Sequence, residues 1–383
     1  MKILQVLTYY RPHTSGLTIY VERLSRALAA RGHQVTVLTS RFDESTPRHE
    51  VVEGVRIVRV PVVARISKGV IMPSFGRVAT GEVRSADVVH LHLPQFDAAG
   101  VALRARLFGK PAVLTYHCDL ELPAGLGNRV VNQVVHVMNS IAARAAHRII
   151  TYTPDFASHS PFLRRYQSKV DTILPPVELP PSNQDAVREL ARAAGIEGRR
   201  PVIGMATRFA SEKGVEILLG ALPEVIERHP GAVVLFAGQY RNVMGEEHYF
   251  ERLAPTIDAL RADGHWCFLG TLTPEQMAAY YPNLDLLVVP SLNSTESFGL
   301  VQIEAMMNGV PVVASNLPGV RQPAKITGMG AIAAIGDAGD LAARMLEILD
   351  DPGRFAGDPP AVTRRFTPDN CAANYESLYD ELG

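Results

Sequence analysis

The sequence contains few cysteines, and their arrangement indicates neither a metal site nor a disulfide framework. Its three cysteines, Cys118, Cys267 and Cys371, are far apart, odd in number and without Cys-x-x-Cys spacing, which argues against structural zinc and disulfides. Asp-x-Asp occurs nowhere in the chain, so the closely spaced aspartates that could hold a divalent metal beside a phosphate are missing. We therefore expect neither a metal nor a bound cofactor.

Long apolar runs and dinucleotide-binding glycine patterns are also missing. No run approaches the roughly 18 apolar residues that a membrane-spanning helix needs. The segment Met1–Leu7 is typical of a strand rather than of a signal peptide, so we expect a cytoplasmic protein. The absence of Gly-x-Gly-x-x-Gly removes the best support for NAD binding.

The remaining composition is typical of a globular protein, since 47% of the 383 residues are hydrophobic and 20% are charged. At this length two domains are the default expectation. Short runs rich in Val and Ile alternate with helical stretches in both halves, a pattern typical of parallel sheets covered by helices. We predict an α/β fold with two Rossmann-like, doubly wound domains that face each other across a cleft. Ligands are expected at the carboxyl ends of the strands.

A proline-rich segment divides the two predicted domains. Four prolines occur within Leu174–Asn183, and they block both helix and sheet. We place the domains at residues 1–180 and 181–366. Residues 367–383 have a helical period after Pro368, and we expect this helix to pack back on the first domain.

Charge is distributed unevenly between the two halves. Residues 1–180 hold 22 Lys and Arg against 13 Asp and Glu, whereas residues 181–383 hold 16 against 26. The basic first half indicates an anionic ligand or an anionic membrane surface. Opposite charges that help two domains face each other explain the same asymmetry, and both interpretations stay open. Cations concentrate in two clusters, Arg104, Arg106 and Lys110, and Arg164, Arg165 and Lys169.

Residues 129–146 carry Val and Ala at helical spacing, including Val130 and Val134. This spacing favours packing in the core. A helix on a membrane surface would need more cations than Arg129 and Arg144.

Two cations follow a predicted strand in the second half. Arg208 directly follows the predicted strand Val202–Thr207, and Lys213 comes five residues later. Arginine can grip a phosphate as a two-pronged fork and lysine as a point charge. Such groups would stabilise the negative charge that grows on a leaving diphosphate, although a solvated surface pair fits the same pattern.

Two glutamates follow a later strand predicted in the second half, Leu286–Pro290. Glu296 lies before a helix predicted to begin near Phe298, and Glu304 lies about two turns inside that helix. The helical rise then separates them by roughly 12 Å, so the two carboxylates must have different roles. The helix start itself presents backbone N–H groups to an anion such as a phosphate.

The first half places polar residues after its own strands. Ser15 and Gly16 follow the strand Ile3–Thr8 and open a helix, which indicates a turn for approach to a phosphate or a structural turn. His117 follows the strand Ala112–Tyr116, where it could donate a hydrogen bond to a sugar or serve a structural role. Further candidates on the same side are His13, His92 and Asp119.

These residues resemble the retaining GT-B glycosyltransferases of family 4, also called glycosyl transferases group 1, over essentially the whole chain. Glu296 and Glu304 fit the family's Glu-x7-Glu motif, which continues through Asn308–Ser315. Arg208 and Lys213 match its diphosphate-binding pair. His117 matches its active-site histidine and Gly16 the second glycine of its first loop, in which Ser15 replaces the usual first glycine.

The resemblance implies transfer of a sugar from a nucleoside diphosphate, of the UDP-sugar or GDP-mannose type, to an acceptor hydroxyl with retention of configuration and without a metal. It implies that the first domain binds the acceptor and the second the donor. The catalytic residues would be His117, Arg208, Lys213 and Glu296. The donor-binding residues would be Gly16, Arg208, Lys213, Phe268, Leu269, Phe298, Gly299, Leu300 and Glu304. We take His13, Ser15, His92 and Asp119 as the acceptor-side candidates.

Two other functions fit the same architecture. One is a non-hydrolysing nucleotide-sugar epimerase, and the other is a catalytically silent nucleotide-sugar-binding protein. All three functions involve a nucleotide sugar and no nucleic acid. For the glycosyltransferase we also expect an acceptor that is lipid-linked or anionic, and peripheral contact of a cytoplasmic protein with the inner membrane face, because the first half is basic.

Overall fold

The computed structural model describes residues 1–66, 69–120, 126–243 and 245–383. They form two compact units, one of Met1–Val177 with Phe366–Gly383, and one of Glu178–Arg365. The boundary lies three residues before the predicted one, inside the proline-rich segment. The chain leaves the first unit at Val177 and returns at Phe366, where the Val177 N–H donates to the Phe366 carbonyl at 2.8 Å.

The first unit is built on a mainly parallel sheet. Its strands are β1 (Lys2–Val6), β2 (Gln34–Arg41), β3 (His49–Val52), β4 (Val55–Pro61), β5 (Ala64–Ile66), β6 (Gly69–Ile71), β7 (Val88–Leu93), β8 (Ala112–Tyr116), β9 (Arg148–Thr151) and β10 (Val170–Thr172). Its first five helices are α1 (Gly16–Ala30), α2 (Phe75–Ser85), α3 (Ala98–Leu107), α4 (Leu126–Ala145) and α5 (Pro154–His159). Eight strands follow the order β10-β9-β8-β7-β1-β2-β4-β3, and β5 and β6 pair separately.

The strand order decides where the helices of the first unit lie. From β7 to β9 the chain moves stepwise in one direction across the sheet, and from β1 to β2 it moves in the other. Right-handed crossovers therefore put α3 and α4 on one face and α1 on the other. The helix α2 packs beside α3. The strands between these layers are apolar and buried, as in Leu4, Leu91 and Leu114.

The second unit is a six-stranded parallel sheet. Its strands are β11 (Val202–Ala206), β12 (Val233–Ala237), β13 (Trp266–Gly270), β14 (Leu286–Val289), β15 (Val312–Ser315) and β16 (Gly330–Ala333). Its helices are α6 (Gln184–Ala193), α7 (Val215–Arg228), α8 (Glu247–Ala262), α9 (Pro274–Tyr280), α10 (Leu300–Met307), α11 (Gln322–Thr327), α12 (Ala338–Asp350) and α13 (Pro359–Phe366). The strand order is β13-β12-β11-β14-β15-β16.

The last helix, α14 (Pro368–Leu382), packs against α1 of the first unit. At its surface Arg31 pairs with Glu376 at 2.6 Å and with Asp369 at 2.8 Å. At its core the hydroxyl groups of Tyr20 and Tyr375 hydrogen bond at 2.8 Å. The segment that comes last in the chain is thus an interior layer of the first unit.

The expectation of core packing for the whole of residues 129–146 is wrong. Ala142, Ala143 and Ala145 at the end of α4 are buried, but Val130, Val134 and Val137 before them are exposed. One side of α4 packs against α3, and the three valines lie on a part of α4 that stays accessible to solvent. Within the described ranges, no helix combines the length and the apolar character that crossing a membrane requires.

Candidate functional site

The sheet of the second unit changes direction between β11 and β14. From β11 the chain continues to β12 on one side, whereas from β14 it continues to β15 on the other. The two strands are paired in parallel, with Gly204 opposite Leu287. Loops that diverge from neighbouring carboxyl ends leave a crevice between them, which is the usual ligand site in open α/β sheets.

Arg208 and Lys213 lie in the loop that leaves β11. A short 3-10 turn, Ser211–Lys213, ends at Gly214, which has φ of 67° and precedes α7. A Cβ atom at Gly214 would lie 2.1 Å from the carbonyl oxygen of Pro290. Only glycine therefore lets this loop approach the loop after β14, and that approach positions Lys213.

Lys213 Nζ donates to Glu296 Oε2 at 2.7 Å. The two residues are 83 positions apart and come from the two diverging loops, so the pair links these loops. Both side chains keep some exposure, 14% for Lys213 and 24% for Glu296. Arg208 pairs with Glu212, and its side chain is 47% exposed. Each cation can therefore bind an anionic ligand in place of its present carboxylate partner, because its side chain is already accessible to solvent.

The helix after Glu296 begins later than predicted. Its first residue is Leu300, and Gly299 is its N-cap with φ of 79°, so Glu304 lies about one turn inside rather than two. No side chain caps this N-terminus. A Cβ at Gly299 would lie 2.7 Å from Nε2 of Gln302, which donates to the Phe298 carbonyl at 2.8 Å. The first N–H groups of α10 thus face the crevice from a fixed turn.

Glu304 is nearly buried, unlike Glu296. Its Oε2 accepts a hydrogen bond from the Tyr281 hydroxyl at 2.8 Å, and the residue is 7% exposed. Tyr281 is itself fully buried. The two glutamates therefore have different neighbours, a lysine for one and a tyrosine for the other, as different roles require.

Phe268 and Leu269 lie on β13, the edge strand two positions away from β11. Neighbouring strands are about 4.8 Å apart, so these residues lie roughly 10 Å from the β11 axis. The Phe268 ring stacks on Tyr240 with centroids 4.0 Å apart. Tyr240, Phe268 and Leu269 are partly exposed, so an aromatic and apolar surface borders this edge of the sheet.

The first unit has its own change of direction, between β1 and β7. Ser15 is the N-cap of α1, and its hydroxyl accepts from the Thr18 N–H at 3.2 Å. A Cβ at Gly16 would meet nothing within 4 Å, so there is open space above this helix start. The rings of His13, Tyr9 and Phe42 form a cluster in which each contacts the other two.

His117 is buried, and both of its ring nitrogens are hydrogen bonded. Nε2 lies 3.0 Å from His92 Nδ1, and Nδ1 pairs with the Tyr152 hydroxyl. His92 Nε2 lies 2.6 Å from Gln5 Oε1. Because the amide oxygen can only accept, His92 donates from Nε2 and accepts at Nδ1. His117 therefore donates from Nε2 and accepts the Tyr152 proton at Nδ1.

This arrangement changes the interpretation of His92. The sequence places it at the strand end as an acceptor-side candidate, but its side chain is fully buried and both nitrogens bond within the unit. It fixes the tautomer and orientation of His117. Asp119, another candidate, accepts from the Tyr116 hydroxyl at 2.9 Å and the Ser160 hydroxyl at 2.7 Å.

A second polar chain connects the neighbouring histidine to α14. His90 Nδ1 lies 2.7 Å from the Tyr379 hydroxyl and Nε2 lies 2.7 Å from Thr115 Oγ1. Thr115 Oγ1 also hydrogen bonds the Tyr375 hydroxyl at 2.7 Å. The rings of His90 and His92 are adjacent, with centroids 4.3 Å apart. The helix α14 thus contacts β7, the strand that carries both His90 and His92.

Burial makes these histidines difficult to protonate. It lowers the pKa of His90 and of His117 to about 3 and the pKa of His92 well below its ordinary value. Nearby histidines contribute to the lowering for His90 and His92. His117 is therefore neutral at pH 7 and acts through hydrogen bonds rather than charge.

We expect mild acid to destabilise the first unit. Each buried histidine binds a proton only after unfolding, so stability is lost as pH falls below about 6.5, at roughly 1.4 kcal/mol per pH unit for each one. Asp97 opposes this, because burial raises its pKa to about 6. From pH 7.5 to 5.5 the net loss should be roughly 3 kcal/mol, measurable by calorimetry. His90→Gln should reduce the dependence, whereas His248→Gln, at an exposed site, should not. A flat profile would contradict this account.

Metal-ligating residues do not cluster in the part of the chain that is described. Over residues 1–66, 69–120, 126–243 and 245–383, no group of three or more His, Cys, Asp or Glu side chains is placed to hold a metal ion. The cationic groups of the site are those of Arg208 and Lys213.

Comparison with known proteins places this geometry in a family. Family models described as "Glycosyl transferases group 1" and "Glycosyl transferase 4-like domain" match residues 187–359 and 15–176. The chain is 30% identical over 398 residues to glycogen synthase from Mycobacterium tuberculosis, covering 96% of this chain and 91% of that protein. The chain belongs to the group 1 glycosyltransferases.

Solved structures identify the fold. This group 1 glycosyltransferase matches sucrose-phosphate synthase from Thermosynechococcus elongatus with a TM-score of 0.80, at 23% identity over 100% of this chain and 98% of that one. It matches Anabaena HepE, solved with UDP-glucose, with a TM-score of 0.78 at 18% identity over 100% of both chains. At these identities the likeness shows the fold, which is GT-B as predicted.

Several residues that shape the sites of this glycosyltransferase were not predicted. Tyr152 follows β9 at the same sheet edge as His117, so the rule that selected His117 could have selected it. Gln5 gave no signal because it is an isolated polar residue within an apolar strand, and Tyr281 gave none because it lies between Tyr280 and Pro282, away from any predicted strand end. Gly214 is visible only as one glycine before a helix, and its closeness to Pro290 is a tertiary contact.

Proposed function

We propose that this glycosyltransferase moves a sugar from a nucleoside-diphosphate donor, of the UDP-sugar or GDP-mannose type, to an acceptor hydroxyl with retention of configuration and without a metal. The Lys213–Glu296 pair, beside Arg208 at the change of direction in the second unit, carries the proposal. It combines cations for a leaving diphosphate with a carboxylate for the sugar next to it. HepE, a protein of the same fold, is solved with UDP-glucose.

In the proposed reaction the bond from the sugar C1 to the diphosphate oxygen breaks and a bond from C1 to the acceptor oxygen forms on the same face. The proton of the acceptor hydroxyl moves to the departing phosphate oxygen. Arg208, Lys213 and the backbone N–H groups of Phe298, Gly299 and Leu300, at the turn into α10, stabilise the charge that develops on the diphosphate. Glu296 positions the sugar, Glu304 accepts from the ribose, and Phe268 and Leu269 lie along the base.

We propose the first unit as the acceptor-binding one. The open space above Gly16 and Ser15 admits a polar group at the start of α1. For His117 to contact the donor sugar, a ligand oxygen would take the place of Tyr152 or His92 as its partner. His13 and Asp119 remain acceptor-side proposals near this edge.

The charge asymmetry supports an anionic or lipid-linked acceptor. The first half of the chain carries nine more cations than carboxylates, 22 against 13 in residues 1–180. We propose that the protein works in the cytoplasm with peripheral contact to the inner membrane face, where such acceptors are presented. No part of the proposal involves nucleic acid.

A panel of UDP, GDP and ADP, each with its sugar conjugates, tests the donor proposal. A ligand that binds only the folded protein adds about 2.7 kcal/mol at one hundred times its Kd, so the matching nucleotide should raise the melting temperature. Arg208→Ala and Lys213→Ala should each reduce that rise, and Arg188→Ala, an exposed cation of the same unit, should not. Free nucleoside diphosphate and a glycosylated acceptor of retained configuration should form with chelator present. A product that is an epimerised nucleotide sugar, or none at all, would reject the proposal.

A further inference from the structure

One tyrosine of the first unit contacts three rings of a single hydrogen-bonded line. The ring of Tyr20, on α1, lies nearly perpendicular to the ring of His117, with centroids 4.9 Å apart and an interplanar angle of 85°. It also contacts the rings of Tyr152 and His92, with centroids 5.5 and 6.0 Å away. Tyr152 and His92 each hydrogen bond a ring nitrogen of His117. Tyr20 therefore packs along the line that sets the orientation of His117.

The position of Tyr20 is fixed through its hydroxyl group. Tyr20 is fully buried, and a buried hydroxyl needs a hydrogen-bond partner. Its oxygen lies 2.8 Å from the hydroxyl oxygen of Tyr375, on α14. A phenylalanine at position 20 would offer the same ring to His117 without this bond, so ring packing alone does not require a tyrosine here.

The Tyr375 hydroxyl joins two elements of the first unit. Besides Tyr20 of α1, it hydrogen bonds Thr115 Oγ1 of β8 at 2.7 Å. A hydroxyl has one proton, so Tyr375 donates to one of these oxygens and accepts from the other. His117 follows Thr115 by two residues, and its N–H continues the pairing with β7 by donating to the Leu93 carbonyl at 3.0 Å. Tyr375 thus ties α1 to the strand that leads into His117.

A second tyrosine of α14 extends this connection to the neighbouring strand. The Tyr379 hydroxyl lies 2.7 Å from His90 Nδ1, and His90 Nε2 lies 2.7 Å from Thr115 Oγ1. The chain of bonds therefore runs from Tyr379 through β7 and β8 to Tyr375 and ends at Tyr20. All five residues are fully buried. A satisfied buried network of this kind favours a single arrangement of its members.

The polar character of this chain is not required for folding. Replacing two buried hydrogen-bonded groups by apolar groups of the same shape is often nearly neutral for stability. The chain instead ends at the ring beside His117, whose hydrogen bonds must change when it binds a ligand. A ligand oxygen that replaces Tyr152 or His92 removes one of the bonds that hold His117, and the Tyr20 ring then keeps its plane. Misplacing such a group by about 1 Å costs roughly a hundredfold in rate.

We propose that Tyr20 and Tyr375 are positioning residues for His117, and that α14 is therefore a functional part of the first-unit site. Tyr375 holds the hydroxyl of Tyr20, and the ring of Tyr20 holds His117 between Tyr152 and His92. Both tyrosines act through His117 rather than on a substrate. The effect on turnover rests on the proposed function, in which His117 contacts the donor sugar, whereas the orientation of His117 can be measured without any transfer.

Magnetic resonance of the full chain, labelled with 15N in histidine, tests the orientation directly. The wild type should show His117 as one neutral tautomer, protonated at Nε2, and the spectrum of His117→Gln identifies the signals that belong to it. Tyr20→Phe and Tyr375→Phe should each populate the second tautomer as well, because a ring that is less firmly held exchanges its partners. If Tyr375→Phe does not fold, Tyr20→Phe decides, since it leaves α14 unchanged.

The matched control removes a buried tyrosine hydroxyl elsewhere. Tyr280, in the second unit, is fully buried, and its hydroxyl donates to the Leu235 carbonyl at 2.9 Å. Tyr280→Phe should lower the melting temperature about as much as Tyr375→Phe, because each loses a buried hydrogen bond. It should leave the signals of His117 and the rate of transfer unchanged.

Turnover supplies the second readout, with the nucleotide sugar that the thermal-shift panel selects. Tyr20→Phe and Tyr375→Phe should each lower kcat about tenfold and keep the nucleotide-induced thermal shift, since the donor cations belong to the second unit. The double variant should lose no more than the larger single loss, because both hydroxyls serve one contact.

Three results would overturn the positioning proposal. They are a single unchanged tautomer of His117 in both variants, normal kcat in both while His117→Gln is inactive, and an equal disturbance of His117 in Tyr280→Phe. The last result would assign the effect to lost stability. Normal turnover of His117→Gln would instead reject the role of His117 in transfer, and the tautomer spectra would still decide whether Tyr20 and Tyr375 orient its ring.

Discussion

Replacement of Lys213 or Arg208 by alanine is expected to lower kcat by about a hundredfold while the fold is kept. The loss follows from the role of each cation, since removing one preorganised group that stabilises developing charge costs about two to three orders of magnitude. The fold should tolerate the change because both pairs, with Glu296 and Glu212, are partly exposed, and exposed pairs contribute at most about 1 kcal/mol. Steady-state kinetics and thermal unfolding measure the two effects separately.

The controls for these variants use the same unit. Arg188→Ala, on α6, should keep normal turnover, because its partner Asp185 is an exposed neighbour in the same helix. Added magnesium should not rescue Lys213→Ala or Arg208→Ala. Near-normal turnover in either variant, or loss of wild-type activity in chelator, would show that the two cations do not hold the diphosphate alone.

Glu296→Gln is expected to lower kcat by about a hundredfold, whereas Glu304→Gln is expected to raise the donor KM by about tenfold. Misplacing a reacting group by a small distance costs about that factor in turnover, and Glu296 is the carboxylate held by Lys213 beside the sugar position. In the role proposed for Glu304, contact with the ribose is equal in the ground and transition states, so its loss should appear as weaker donor binding, on the scale of a charged hydrogen bond. Initial rates at varied donor concentration separate the two signatures.

Tyr281 supplies an independent check on Glu304. Tyr281→Phe removes the hydroxyl that holds Glu304 Oε2 at 2.8 Å but keeps the buried ring. It should raise the donor KM in the same direction as Glu304→Gln and leave kcat unchanged. If both glutamate variants instead weaken donor binding alike and leave kcat intact, the division of roles between them is wrong.

The sequence predicted the fold and the arrangement of residues in the second unit more completely than the arrangement of residues in the first unit. Short apolar runs with helices between them determine a parallel sheet, and the carboxyl-edge rule then brings together residues as distant as Lys213 and Glu296. That rule concerns strand ends and needs no side-chain detail. The start of α10 was placed two residues early, because the turn at Gly299 depends on its contact with Gln302.

The first unit shows where sequence reasoning stops. His92 and His117 were both placed correctly at strand ends, yet their exposure depends on Tyr152, Gln5 and the strands around them. The helical spacing of apolar residues also could not show whether Val130 faces the core, because an apolar stripe has the same spacing whether or not another layer covers it. Both questions concern what lies opposite a side chain, which is a property of topology.

The return of α14 to the first unit has a consequence for synthesis. Residues 178–365 are contiguous and make up the whole second unit, so this unit has all its strands before α14 leaves the ribosome. Until Tyr375 and Tyr379 arrive, Thr115 and His90 lack the hydroxyl partners they have in the finished protein, and the face of β1, β7 and β8 that α14 covers is open to water. The N-terminal half must therefore wait, partly assembled, for the last helix, and a chain that stops short of α14 should be a substrate for chaperones and proteases rather than a smaller enzyme.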